Sequence, residues 1–156
     1  MLCERSTVST PADFLSEAQP ILERALVARF GLRDGMDAAS DAVEYAVANW
    51  PRVSAMENPK GYLFKVGHSR ALRAIRRARR LTAFVSEPIT TDTPVDVDLQ
   101  RALLRLPWEL RVAVMLVHAH GHTYASAAEV LDIPVTTLTN HVNRGMTQLR
   151  KVVTAR

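Results

Sequence analysis

The chain contains a single cysteine, Cys3. It therefore holds no intramolecular disulfide and no zinc site built on two or more thiolates. Cys3 lies at the terminus with no helix or fixed base to activate it, which argues against a nucleophile or redox switch. Long apolar runs are missing as well: the longest, Val112 to Val117, is far too short to span a bilayer. The N-terminal segment carries Glu4, Arg5 and Asp13 and no apolar stretch of signal-peptide length, so the expected location is the cytoplasm. No phosphate-loop, GxSxG or HExxH pattern occurs, so neither an enzyme nor a cofactor is expected.

Two further absences organise the charge. Lys60 to Arg80 contains 8 Lys+Arg and no acid, while residues 81–100 contain 4 acids and no Lys or Arg. The net charge is +4 for residues 1–80, −4 for 81–100 and +4 for 101–156. Two basic blocks flanking an acidic spacer suggest two surfaces for a polyanion. Arginine supplies 17 of the 20 basic residues, which suits phosphate recognition. With 47% apolar residues in 156, the chain can bury the core of one ordinary domain or of two small ones.

Periodicity is helical almost throughout, and no credible strand pair is found. Thr10-Pro11-Ala12-Asp13 is a helix start, followed by Phe14, Ala18, Ile21, Leu22, Ala25 and Leu26 at helical spacing, with Pro20 expected to break or kink the stretch. Gly31 to Gly35 punctuates. A second helix is expected from about Asp37 to Trp50, with Ala39, Ala42, Val43, Ala46, Val47 and Trp50 as its inner stripe and Pro51 as its stop. Residues 51–59 are expected to be a loop, and Asn58 to cap a third helix reaching Arg80. Residues 81–97, with Pro88, Pro94 and only acids as charges, have linker composition. Beyond them, helices are expected at Asp98–Leu106, from Pro107 to about Ala119, at Thr123–Leu131 and from Val135 to Val153. The fold class is all-α: two small helical domains, 10–80 and 98–156, joined by a short acidic linker, 81–97.

Thr123 to Leu149 follows the helix-turn-helix plan, a short helix, the turn Asp132-Ile133-Pro134 and a longer helix. Ala128 is small where the helices should cross, and Asp132 stands where glycine is frequent, since Asp tolerates the left-handed conformation. Leu138, Val142, Met146 and Leu149 should face inward. Thr136, Thr139, Asn140, Asn143 and Arg144 are then outward, with groups suited to base edges and phosphates. The plain alternative is a helical hairpin with a polar solvent face.

In the basic block, Arg70, Arg73, Arg77 and Arg80 share a helix face at 3, 4, 3 spacing, whereas Leu63, Val66 and Ile75 point toward a core. Tyr62 and Phe64 at its start could stack on unpaired bases, although aromatics there also serve as core. His118, His120 and His122 alternate around a glycine and share no helix face, so a metal site is not expected and a helix-end role is the simpler account.

Leu99 to Arg150 resembles region 4 of bacterial RNA polymerase sigma factors of the extracytoplasmic-function type. The likeness rests on Ala102-Leu103, Leu106-Pro107, Arg111, Gly121, Tyr124, Ala128 to Leu131, Ile133-Pro134, Thr137, Arg144 and Leu149-Arg150. Phe14 to Arg80 resembles region 2 of the same family through Asp37 to Trp50 and through Pro59 to Ala71. Neither stretch alone is specific; their order and spacing together are. The chain departs from the family at Ala125 and Ser126, where acids are usual, and near Thr139 and His141, where basic residues are usual. In region 2 the acidic pattern is thinned to Asp37, Asp41 and Glu44.

The resemblance implies a promoter-directing factor without covalent chemistry. It implies core RNA polymerase and promoter DNA as partners and an anti-sigma protein as antagonist. On this basis Thr136, Thr137, Thr139, Asn140, Asn143 and Arg144 would read a minus-35 element. Met56, Glu57, Asn58, Lys60, Tyr62, Arg70, Arg73 and Arg77 would handle a minus-10 element, the loop before Lys60 holding a flipped base. Asp41, Glu44 and Asn49 would contact the polymerase. Two other readings stay open: a stand-alone helix-turn-helix regulator, and an interaction module that no longer reads promoters.

Overall fold

The structure is a computed structural model that describes residues 10–81 and 97–154. Among the described residues every regular element is helical. Helix α1 spans Pro11–Phe30, α2 Leu32–Ala48, α3 Trp50–Ser54 and α4 Pro59–Leu81 in the first half. In the second half α5 spans Val97–Arg105, α6 Trp108–Val114, α7 Tyr124–Leu131 and α8 Val135–Thr154. A single π-helical turn, Met115–Ala119, continues α6. None of these helices is long and apolar enough to cross a membrane.

Local chemistry explains the boundaries. Thr10 Oγ1 accepts from the Asp13 amide at 3.2 Å and donates to the Asp13 carboxylate at 2.7 Å, fixing the start of α1. Pro20 does not interrupt α1, contrary to the sequence expectation. It lies on the exposed side, where its missing N–H costs least, while Ala18, Ile21, Leu22, Ala25 and Leu26 are buried on the other. Only Gly31, at φ 92°, separates α1 from α2; Gly35 is inside α2 rather than in a turn.

The second helix thus begins five residues earlier than expected and ends at Ala48, before Pro51. Val47, expected on the inner stripe, is 58% exposed. Residues 51–59 are not wholly loop either. Trp50 and Pro51 open the short α3, because proline is at home in a first helical turn. Asn58 does cap α4, its Oδ1 accepting from the Gly61 amide at 3.1 Å. Thr123 caps α7 through the Ser126 amide at 3.0 Å. Asp132 closes α7 in the left-handed conformation, φ 54° and ψ 49°.

A single apolar cluster joins the two halves. It runs from Leu15, Leu22 and Leu26 of α1 through Ala42 of α2 and Leu63 of α4 to Val112, Val130, Leu138 and Val142. A smaller cluster, Ala102, Leu106, Leu110, Val114 and Leu149, holds α5, α6 and α8 together. Helix α1 packs on α2, α4 and α6, and α4 packs on α7.

Candidate nucleic-acid interface

Ala127, Ala128 and Val130 of α7 and Leu138 and Val142 of α8 are buried in one apolar cluster, while Leu149 of α8 is buried with α5 and α6. Met146 packs partly buried against the same core. Thr136, Asn140, Asn143 and Arg144 are exposed along one side of α8. Thr137 is half-buried. Thr139 is half-buried too, and its hydroxyl donates to the Val135 carbonyl at 2.9 Å, so it presents less hydrogen-bonding capacity outward than its position suggested.

The loop before α4 and the first turns of that helix form the second region of interest. Met56, Glu57, Asn58 and Tyr62 line one open cavity of about 490 Å³, together with Lys65 and Asp132. Tyr62 is half-exposed, and its hydroxyl lies 3.1 Å from that of Tyr45, a hydrogen bond that raises the Tyr62 pKa. Phe64 is different. It is buried against Trp108 and His68, so it is a core residue and cannot stack on a base. Lys60 Nζ sits 3.2 Å from Glu17 and 3.9 Å from Glu129, with little of its side chain exposed.

Along α4, Arg70 is half-buried. Its guanidinium lies over the Tyr45 ring at 5.5 Å and donates to the Asp41 carbonyl at 3.4 Å. Arg73, Arg76, Arg77 and Arg80 are exposed. The basic surface therefore wraps the end of α4 instead of keeping to the single face read from spacing. Among the residues considered for polymerase, Glu44 is exposed and Asp41 half-buried on α2. Asn49 donates to the Tyr45 carbonyl at 3.0 Å, closing that helix.

Comparison with known proteins finds a family match for the second half of this geometry. Residues 96–149 match the family model described as Sigma-70, region 4. Over 64 residues the chain is 38% identical to the ECF RNA polymerase sigma factor SigE of Mycolicibacterium smegmatis, a stretch covering 41% of this chain and 25% of that protein. Residues 96–149 thus resemble region 4 of the sigma-70 family. Its fold is also similar to that of the sigma factor RpoE from Bartonella quintana, solved in complex with the anti-sigma factor NepR. The TM-score is 0.62 at 20% identity, covering 92% of this chain and 96% of that one. The chain spans about a quarter of the length of SigE, its curated relative.

Residues that the sequence reading left without a role tie the region 4-like half to the first half. Arg111 donates from Nε to the Ala28 carbonyl at 2.8 Å, from Nη2 to that of Arg29 at 3.1 Å and from Nη1 to that of Leu106 at 3.3 Å. It thereby satisfies carbonyls in the last turn of α1. Trp108 packs on His68 at 5.0 Å and Phe64 at 6.5 Å, and the Arg29 guanidinium lies over its ring at 5.0 Å. Burial, then the nearby Arg29 charge, holds the His68 pKa below its usual value, with Glu109 pulling the other way. One signal for this contact was legible: Arg111 is a cation set directly against the apolar run Val112 to Val117.

The three histidines gather no metal-ligand group; among the described residues no cluster of three His, Cys, Asp or Glu side chains is arranged to hold a metal ion. His122 Nε2 instead lies 2.9 Å from Arg24 Nη1. Burial, with the Arg24 charge, lowers the pKa of both His120 and His122.

Proposed function

We propose that this chain is a transcription initiation factor that binds core RNA polymerase and directs it to specific promoters. The observation that carries the reading is the family match at residues 96–149 with the exposed polar side of α8, Thr136, Asn140, Asn143 and Arg144, inside it. In this reading α7, the Asp132 turn and α8 are a helix-turn-helix whose second helix enters the major groove of a minus-35 element. Residues 10–80 act as a region 2-like domain and 98–156 as the region 4-like domain, with 81–97 as the acidic linker.

The loop at Met56, Glu57 and Asn58, with Lys60, Tyr62, Arg70, Arg73 and Arg77, takes the minus-10 element. Contacts to unpaired, flipped bases offset the cost of opening the duplex, and the polymerase performs the chemistry. Asp41, Glu44 and Asn49 face the polymerase. The likeness to a sigma factor captured with its anti-sigma factor supports a protein antagonist for this chain as well, in the cytoplasm where polymerase resides.

Run-off transcription with purified core polymerase, with and without the protein, on fragments of its own genome tests the reading. A new discrete transcript is expected, and its upstream sequence gives both elements. Absence of binding to core enzyme in the same mixture would sink the proposal.

A second reading has one observation in its favour. Along the exposed side of α8 from Val135 to Gly145, Arg144 is the sole arginine or lysine. Few phosphate contacts give weak, weakly salt-dependent binding. This fits an interaction module that no longer reads promoters; a stand-alone regulator would instead bind duplex DNA but not core enzyme. A steep salt dependence of duplex binding counts against the module, and co-purification with core polymerase counts against the regulator.

A further inference from the structure

The loop proposed to capture a DNA strand is occupied by the chain itself. Asn58 Nδ2 donates to the Glu129 carbonyl at 2.8 Å and to Asp132 Oδ1 at 3.2 Å, and its Oδ1 accepts from Gly61. An amide has two N–H donors and one carbonyl oxygen, so the Asn58 side chain has no donor left for a base. Lys65 Nζ lies 2.6 Å from Asp132 Oδ2. Lys60 is flanked by Glu17 and Glu129. Both lysines at the start of α4 thus meet acids, and Glu129 and Asp132 come from the end of α7 and the turn after it.

Two backbone features make this approach possible. A Cβ on Gly61 would lie 2.9 Å from Asp132 Cβ, so only glycine lets the turn come so near α4. Asp132 adopts a left-handed conformation that glycine takes without steric cost. The turn alone does not call for a carboxylate; the contact with Lys65 and Asn58 uses one.

We infer that Asp132 acts as an internal stand-in for a nucleic-acid phosphate, closing the α7–α8 turn over the strand-capturing loop so that self-contact and strand binding exclude each other. This rests on the reading under Proposed function. That reading itself demands an opening. Elements centred about 25 base pairs apart are separated by roughly 85 Å at 3.4 Å per pair. The loop touches the residue three positions before α8, a helix about 30 Å long at 1.5 Å per residue. The closed chain therefore cannot engage both elements. Lys65 and Asp132 keep 61% and 42% of their side chains exposed, so this contact is weakened by salt and displaced by a competing polyanion.

The test uses the full chain with Cys3→Ser and the pair Gly61→Cys and Asp132→Cys, whose Cβ atoms need to move apart only by about 1 Å to reach disulfide distance. Binding of a dye-labelled single-stranded DNA is followed by anisotropy, oxidised and then reduced, with bridge formation verified by mass. The oxidised form is expected to bind at least about tenfold more weakly than the same protein after reduction, at unchanged formal charge. Asp132→Asn, which tolerates the turn conformation, is expected to bind about threefold more tightly than the native chain. Equal binding by the oxidised and reduced forms overturns the inference and leaves strand capture standing. Should the cysteine pair fail to fold or to bridge, unchanged affinity in Asp132→Asn overturns it instead. No binding by any form overturns strand capture, and the inference with it.

Discussion

Arg111 Nε donates to the Ala28 carbonyl across 2.8 Å, joining α6 to the end of α1 over 83 positions of sequence. One guanidinium serves three carbonyls there, and burial pulls its pKa down from the usual value. Arg111→Ala is expected to cost about 2–4 kcal/mol, because buried carbonyls lose their donors and the aliphatic stem is lost with them. Arg111→Lys is expected to recover less than half, since a single ammonium cannot reproduce the planar fork. Urea unfolding of the two variants checks both values.

Gly35 is buried where α2 leaves α1, and a Cβ there would lie 2.4 Å from Val27 Cα. The obstacle is backbone, which cannot rotate aside. Gly35→Ala is therefore expected to destabilise by about 3 kcal/mol or more, despite the better helix propensity of alanine. Gly121, at φ 70° with open space around its Cβ position, should lose only the cost of the backbone conformation, about 1–2 kcal/mol. Thermal melts of the two alanine variants rank them.

Burial, and then the Arg29 charge, favour the neutral form of His68 in the folded protein. Its folded pKa lies below the unfolded value of 6.5, so the unfolded chain takes up the proton first as pH falls. The stability it contributes is complete above about pH 6.5 and is lost as pH falls from there toward the folded pKa. His120 and His122 act in the same direction. His68→Gln should accordingly flatten, without abolishing, the decline of unfolding free energy between pH 7 and pH 5, read from urea curves at each pH.

For promoter recognition, Asn140→Ala and Arg144→Ala are expected to weaken duplex binding about tenfold each, while leaving binding to core polymerase unchanged. If Arg144 contacts a phosphate, its loss lowers the salt slope by about 1 and weakens all sequences alike. If it reads a base, discrimination at one position relaxes instead. Electrophoretic shifts at several salt concentrations, on the promoter found by run-off transcription, separate these outcomes.

Much of the helical skeleton was legible in the sequence because caps and apolar spacing are local. Thr10, Asn58 and Thr123 announce their helices, and each makes its capping bond. Pro20 misled because a proline's effect depends on which side of the helix it occupies, and packing of Ile21 and Leu22 decides that. Five-residue α3 leaves too short a period to read. At the candidate site, the exposure of Thr136, Asn140, Asn143 and Arg144 follows from helical phase alone. The pairings of Asn58 with Glu129, Lys65 with Asp132 and Arg111 with Ala28 are invisible to any such argument, since these partners lie 67 or more positions away. Phe64 could be read either way until Trp108 was found beside it.

The continuous apolar cluster carries a last consequence. Opening the chain far enough to reach two separated DNA elements would bare the seam around Trp108 and Phe64 to water. Such a surface attracts other copies of itself as readily as a proper partner. Held shut, the chain keeps that adhesive surface out of circulation. Under the proposed function, the same packing that covers the loop before α4 also guards the free protein against aggregation until polymerase offers a replacement surface.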